Sequence, residues 1–282
     1  MRDNSQLPKK LIFKKAVSGI FSRTRFLRRD SEGFRVLNYH SIPGESLKED
    51  ADQMTTPKEY FARQLKYLNE NRYNVISCGE AVKNTGLRVA MPPRSVCITF
   101  DDGFKDNLTN ALPALEKYGF KATIFPAVDY IGKNSDFLAW DEIKGLSKTG
   151  LISFGAHSLS HRRLSSLNDN DLEREAGLSK SILEDNLGMR VDLFAYPFGS
   201  YGSFDGRAEQ ILMAKGYKAA FTTIAGSNTA GTDLFRLRRT RISWYDDEKE
   251  FPKELAGDYD WYRVWQMADG YLFPDRSRSE SA

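Results

Sequence analysis

The stretch Ser95-Val-Cys-Ile-Thr-Phe-Asp-Asp-Gly-Phe104 reads as a buried strand that ends abruptly in two adjacent carboxylates and a glycine. Val96, Ile98 and Phe100 suit a pleated, packed surface. Successive strand residues point to opposite faces, so Asp101 and Asp102 can serve one pocket only where the strand ends and its twist breaks. Gly103 permits the sharp turn needed there. Asp-Gly is also a common turn dipeptide, and alone the stretch is equally well a plain turn.

A second segment shifts that balance. The chain has three histidines, and two of them, His157 and His161, stand four residues apart just after the apolar run Leu151-Ile-Ser-Phe154. Two neutral imidazoles and one carboxylate, with a position left open for water, describe a catalytic divalent-metal centre rather than a closed structural one. The third histidine, His40, ends the run Phe34-Arg-Val-Leu-Asn-Tyr39 and so closes a first strand, as Asp101 closes its own.

The remaining pattern supplies the frame. Helices are predicted over 57–71, with Phe61, Leu65 and Leu68 on one face, over 106–118 with Gly119 as C-cap, and from the N-cap Asp141 through Lys148. Further helices follow from the Asn168-Asp-Asn-Asp171 cap to about Leu187 and over 205–215. Strands are predicted over 73–77, 121–127, 151–155, 191–196 and 217–223. Strands and helices alternating over 282 residues imply a mainly parallel, barrel-like α/β domain, and one core suffices for that length.

A net charge of +3 is too small to argue for nucleic acid, and it is unevenly placed. Residues 9–29 hold eight Lys or Arg and no acidic residue, with Phe13, Ala16, Val17, Ile20 and Phe21 near one helical face. That pattern fits an interfacial helix on an anionic membrane surface. Lys14 and Lys15 interrupt the apolar run too early for a secretory signal, and about 20 apolar residues would be needed to span a bilayer. The expectation is a peripheral protein on the cytoplasmic face of a bacterial membrane, with an unrecognised export signal as the alternative. Cys78 and Cys97 do not suggest a disulfide framework. Residues 246–282 form an aromatic-rich extension whose Trp261, Tyr262 and Trp265 could stack on sugar, dip into lipid or pack across a barrel end.

Three motifs in order, Thr99-Phe-Asp-Asp-Gly103, His157-Ser-Leu-Ser-His161 and Phe194-Ala-Tyr-Pro-Phe-Gly199, resemble those of the polysaccharide deacetylases, carbohydrate esterase family 4. The resemblance covers residues 34–245 between the basic segment 1–33 and the extension, and implies a distorted (β/α)7 barrel. It implies Asp101 as base, Asp102, His157 and His161 as ligands of a divalent metal (zinc first, cobalt or nickel otherwise), and the Phe198 backbone amide as donor to an oxyanion. It also implies an aromatic wall near Trp140.

Two departures qualify the match. The family's arginine before the proline is replaced by Ala195 and Tyr196, which leaves Arg241 as a candidate to orient the base. No histidine follows His161, whereas Tyr39-His40 matches the branch resembling poly-N-acetylglucosamine deacetylases, in which an N-terminal histidine is the acid. The activity implied is metal-dependent N-deacetylation of an N-acetylated glycan. A non-catalytic glycan-binding domain and an O-acetyl esterase stay open as alternatives.

Overall fold

In the computed structural model the described residues are 17–19, 33–44 and 54–272, the side chains of 270–272 excepted. Among these residues there are eight parallel strands: β1 (Phe34–Tyr39), β2 (Asn74–Val75), β3 (Ser95–Asp102), β4 (Ala122–Pro126), β5 (Ile152–Phe154), β6 (Leu193–Ala195), β7 (Ala219–Phe221) and β8 (Thr240–Arg241). β3 is the axis of the arrangement, and all eight of its residues are buried. One edge pairs with β1, from Phe34 opposite Ser95 to Tyr39 opposite Phe100, so His40 falls level with Asp101. The other edge takes β2 at its start and β4 at its end.

The period of two sorts β3 into two surfaces. Val96, Ile98 and Phe100 pack outward with Tyr39 and Phe61 against the helices. Cys97 turns inward, among Val36, Phe125, Leu193, Ala219 and Phe221, and Thr99 and Asp101 share its side of the strand. Outside lie α1 (Lys58–Glu70), α2 (Cys78–Gly86), α3 (Leu112–Glu116), α4 (Trp140–Ser147), α5 (Asp169–Leu187) and α6 (Gly206–Ala214). α1 buries Phe61, Gln64, Leu65 and Leu68, a single stripe. α5 begins where the Asn168 side chain accepts the Asp171 N–H and stops at left-handed Gly188, as the sequence predicts.

β1, β3, β4, β5, β6, β7 and β8 follow one another around a ring, but the ladder is broken at two places. Ala156 alone joins the β5 side to β6, accepting from Ala195 N (2.8 Å) and donating to Leu193 O (2.9 Å). Leu237 alone joins β7 to the segment that runs on into β8, which returns to β1. These single bridges are the distortion in the seven-stranded barrel. They also leave β6 and β7 shorter than the strands predicted over 191–196 and 217–223.

Two local expectations are corrected. The helix over 106–118 opens with a π-helical turn, Asn107–Ala111, in which Leu112 N–H reaches back five residues to Asn107 O. α4 starts one residue before the predicted cap. Glu142 accepts the Ala139 N–H at 2.8 Å, so Ala139 is the N-cap and Asp141 lies in the first turn, facing the positive end of the helix.

Beyond residue 245, α7 (Phe251–Ala256) and α8 (Tyr262–Leu272) pack onto the barrel. Arg35 on β1 ties them down, donating to both Asp260 carboxylate oxygens (2.9 and 2.7 Å) and to Leu255 O (2.8 Å). Cys78 and Cys97 are buried free thiols. Of the basic segment 9–29, only a helical turn at 17–19 falls within the described residues; the proposed interfacial helix otherwise lies outside them. No helix among the described residues is long and apolar enough to cross a membrane.

Candidate metal and acid–base site

At the C-terminal end of β3 the two aspartates part company. Asp102 adopts a left-handed backbone, φ 67°, which swings its carboxylate toward the histidine loop. Its Oδ1 lies 3.5 Å from His157 Nε2 and 3.3 Å from His161 Nε2, and these donor atoms all fall within 4.8 Å of one another. His157 Nδ1 is 2.7 Å from the Ala195 carbonyl. A carbonyl can only accept, so Nδ1 carries the proton and Nε2 keeps its lone pair toward Asp102. Burial lowers the His157 pKa to about 3 against the pull of Asp101, and burial lowers that of His161 too. Both rings are therefore neutral near pH 7, the form that ligates. One carboxylate oxygen and two neutral imidazole nitrogens, converging from one side, fit a divalent cation with open positions.

The backbone here is held in uncommon conformations. Asp102, Ser158, His161 and Phe198 all have positive φ, and the other non-glycine residues that do so among those described are Arg72, Arg88 and Arg94. Each such residue costs on the order of 1 kcal/mol, so the surroundings must enforce it. Glu175 on α5 does so for the histidine loop: its carboxylate accepts from Leu159 N and Ser160 N, both at 2.9 Å, and from the Ser160 hydroxyl. Ser158 Oγ accepts the His161 N–H at 3.0 Å.

Asp101 points inward and is 1% exposed. Arg239 grips it with both terminal nitrogens, each 2.7 Å from a carboxylate oxygen, while Asn38 Nδ2 donates to Oδ2 at 2.9 Å. Burial works to raise the Asp101 pKa, but the Arg239 guanidinium outweighs it and holds the carboxyl well below the usual range. Arg239 is itself fully buried and donates from Nε to Thr222 O at 2.8 Å. The expectation for Arg241 is thus corrected. Arg241 sits level with Asn38 and is exposed at the rim, whereas Arg239, two residues lower in the barrel, reaches up to the carboxylate.

His40 completes the cluster. It is 3% exposed, with Nε2 4.0 Å from Asp101 Oδ2. Asn107, in the π-helical turn, donates to the His40 carbonyl at 2.8 Å, and Asn110 donates to Ile42 O at 2.8 Å. Burial lowers the His40 pKa to about 4, Asp101 resisting and Arg239 and Arg241 assisting.

The Pro197-Phe198-Gly199 turn stands beside these groups, its Phe198 ring 5.1 Å from that of His161. Phe198 has φ 62°, and its carbonyl accepts from Thr223 Oγ1 at 2.7 Å. The aromatic wall is built from other residues than Trp140, which is half-buried against core side chains. Tyr130 lies 5.7 Å from the His161 ring, Phe137 4.8 Å from Tyr130, and Phe104 5.1 Å from Phe137, all half-buried. A separate groove of about 510 Å³, between α1 and residues 246–252, contains none of these side chains.

Asn38, Asn107, Glu175 and Arg239 are the residues that sequence reasoning missed. Asn107 carried the one usable signal, since it follows the Asp-Asp-Gly turn closely; the others are ordinary polar residues until the topology is known.

Residues 88–220 match the family model described as polysaccharide deacetylase. YxkH of Bacillus subtilis, which carries that family's name, is 32% identical over 212 residues, covering 74% of this chain and 71% of its own. The poly-beta-1,6-N-acetyl-D-glucosamine N-deacetylase of Staphylococcus aureus is 26% identical over 232 residues, covering 74% and 78%. Among solved structures, the Streptococcus pyogenes deacetylase PplD in complex with acetate superposes with a TM-score of 0.72 at 26% identity, over 79% of this chain and 98% of that one. IcaB from Ammonifex degensii gives 0.70 at 24% identity, over 82% and 98%, a likeness of fold.

Proposed function

Because the chain belongs to the polysaccharide deacetylase family, we propose that it hydrolyses N-acetyl groups from N-acetylhexosamine residues of a bacterial glycan, polymeric or lipid-linked. The observation that carries this reading is the division between the two aspartates. Asp102 faces two neutral imidazoles, while Asp101 is kept ionised by Arg239 a few ångströms away. A domain that only bound sugar would have no use for a buried base with its own counter-ion.

A divalent ion held by Asp102 Oδ1, His157 Nε2 and His161 Nε2, zinc first among the candidates, would supply a Lewis acid for the acetamide carbonyl and acidity for a water molecule. Asp101 takes the proton of the attacking water as the water oxygen bonds to the acetyl carbon. The Phe198 N–H donates to the carbonyl oxygen as charge gathers on it. His40 gives a proton to the departing nitrogen when the C–N bond breaks. At rest His40 is neutral, so it must first acquire that proton, and Asp101 Oδ2 at 4.0 Å is the nearest carboxylate oxygen to supply it. Arg239 makes the handover favourable, because a carboxylate so firmly held ionised is a poor place for a proton to stay. The products are acetate and a free amino sugar.

The test is acetate release from β-1,6-linked N-acetylglucosamine oligosaccharides and from O-acetylated ones, each with and without a chelator. Release from the N-acetylated set, lost with chelator and restored by zinc, is the expected result. Release from the O-acetylated set alone would replace the amide by an ester, and release from neither would favour a binding role. Residues 9–29 are proposed to hold the protein against anionic lipid, on their charge and apolar face.

A further inference from the structure

The C-terminal extension reaches the reaction centre through a short run of hydrogen bonds. Gln266, on α8, uses both ends of its amide on one stretch of backbone: Oε1 accepts from Ala225 N (2.9 Å), and Nε2 donates to Thr223 O (3.1 Å). Thr223 in turn grips the Phe198 turn twice, donating from Oγ1 to Phe198 O (2.7 Å) and from its backbone N–H to Gly199 O (2.9 Å). The contact is close enough that a Cβ on Gly199 would come within 2.7 Å of Thr223 N. β7 ends at Phe221, so residues 223–225 have no ladder of their own. Ile224 O accepts the Arg239 N–H (3.1 Å) and Ile224 N–H donates to Thr222 Oγ1 (3.2 Å), while Thr223 and Ala225 are held between the Phe198–Gly199 turn on one side and Gln266 on the other.

We propose that Thr223 and Gln266 are positioning residues for the Phe198 turn, so that α8, which lies outside the residues matched by the family model, buttresses the peptide facing the acetyl group. The inference rests on the reading of Phe198 N–H as a donor to the developing oxyanion. Three features point to positioning rather than to simple docking of a helix. None of the described side chains of α8 is fully buried, and Val264 and Met267 are exposed, so no deep apolar face holds the helix there. Gln266 spends its donor and its acceptor on a single segment. That segment then fixes a non-glycine residue in a left-handed conformation, which neighbours must enforce.

The experiment uses the full chain and four variants, Thr223→Val, Thr223→Ser, Gln266→Ala and the double variant Thr223→Val/Gln266→Ala. It measures kcat and KM on N-acetylglucosamine oligosaccharides, bound metal, and amide hydrogen exchange across residues 196–201. Thr223→Val and Gln266→Ala should each lower kcat roughly tenfold, with KM and metal content unchanged, because displacing a pre-aimed donor weakens only the interaction made in the transition state. Thr223→Ser keeps the hydroxyl and should keep the rate. The double variant should lose little more than the worse single one, since both act on one turn. Exchange across 196–201 should quicken in the impaired variants and not in Thr223→Ser. Equal losses in Thr223→Val and Thr223→Ser, a rise in KM in place of the fall in kcat, or unchanged exchange would overturn the proposal. Should the wild-type protein release no acetate from any glycan, the functional reading fails, and the exchange data alone decide the positioning claim.

Discussion

Replacing Arg239 by methionine removes two charge-assisted hydrogen bonds from a carboxylate that is 1% exposed, leaving it Asn38 as hydrogen-bond donor. Breaking a buried pair by deleting one partner costs about 3–5 kcal/mol, because the other charge stays buried and uncompensated. For a chain of this size that is a fall in melting temperature of about 10 °C. The chemistry should suffer separately. With Arg239 gone, burial raises the Asp101 pKa unopposed by its main counterweight, so the carboxyl becomes protonated at higher pH and stops serving as base. A group that must be ionised regains activity as pH rises. Arg239→Met should therefore lose roughly 100-fold or more in kcat near neutrality and recover part of it between about pH 7 and 9. Arg239→Lys, which keeps the charge but cannot span both oxygens, should fall between. Adding Asp101→Asn to Arg239→Met removes the stranded charge, so the double variant should be more stable than the two separate losses combined. Urea unfolding and acetate release across pH are the assays. A melting point within about 2 °C of wild type, or a larger loss from Arg241→Met, would refute the reasoning.

Asp102→Asn and His161→Ala should lose bound metal and activity together, whereas Asp101→Asn keeps the metal and loses turnover; metal analysis beside rate measurement separates them, and a near-normal rate for Asp101→Asn would end its assignment as base. His40→Ala should retain metal and lower kcat roughly 100-fold, with a smaller loss on an activated aryl acetate whose leaving group needs no proton. In metal-free protein, His40 and His157 titrate near 4 and 3 when folded and near 6.5 when unfolded, so below about pH 6.5 the unfolded chain binds more protons. Urea midpoints should accordingly fall from pH 7 toward pH 4, by several kcal/mol in free energy; a flat profile would contradict the buried, neutral state of these rings. Deleting residues 1–29 should release the protein from anionic vesicles in a flotation assay without lowering hydrolysis of soluble substrate, and salt should weaken the full-length association.

What the sequence discloses about the site is its scarce and local part. His40, Asp101, Asp102, His157 and His161 stand at the ends of apolar runs, where strand termini put side chains into a shared mouth, and with three histidines in the chain each is conspicuous. Arg239 is hidden for the opposite reason. It is one of four arginines between 236 and 241, it is 138 residues from its partner, and only the register of β8 on β1 decides which arginine reaches Asp101. Asn38 and Glu175 acquire their roles from neighbours that periodicity does not name. Short strands were overestimated because apolar runs report burial, whereas ladders also need a partner along their whole length, and at Ala156 and Leu237 the barrel provides only one residue.

The π-helical turn at Asn107–Ala111 sets stability and activity against each other in a way that selection can read. Its i+5 hydrogen bond is a poorer helix than the regular form, and it is kept where Asn107 and Asn110 hold the carbonyls of His40 and Ile42. Deleting one residue from this turn would let the backbone relax to 3.6 residues per turn and rotate one asparagine about 100° relative to the other. The shortened helix would be the better helix, and His40 would lose a tether. Variants sorted for heat resistance would therefore admit a deletion that variants sorted for turnover reject, so the length of this one turn records which pressure a lineage has been under.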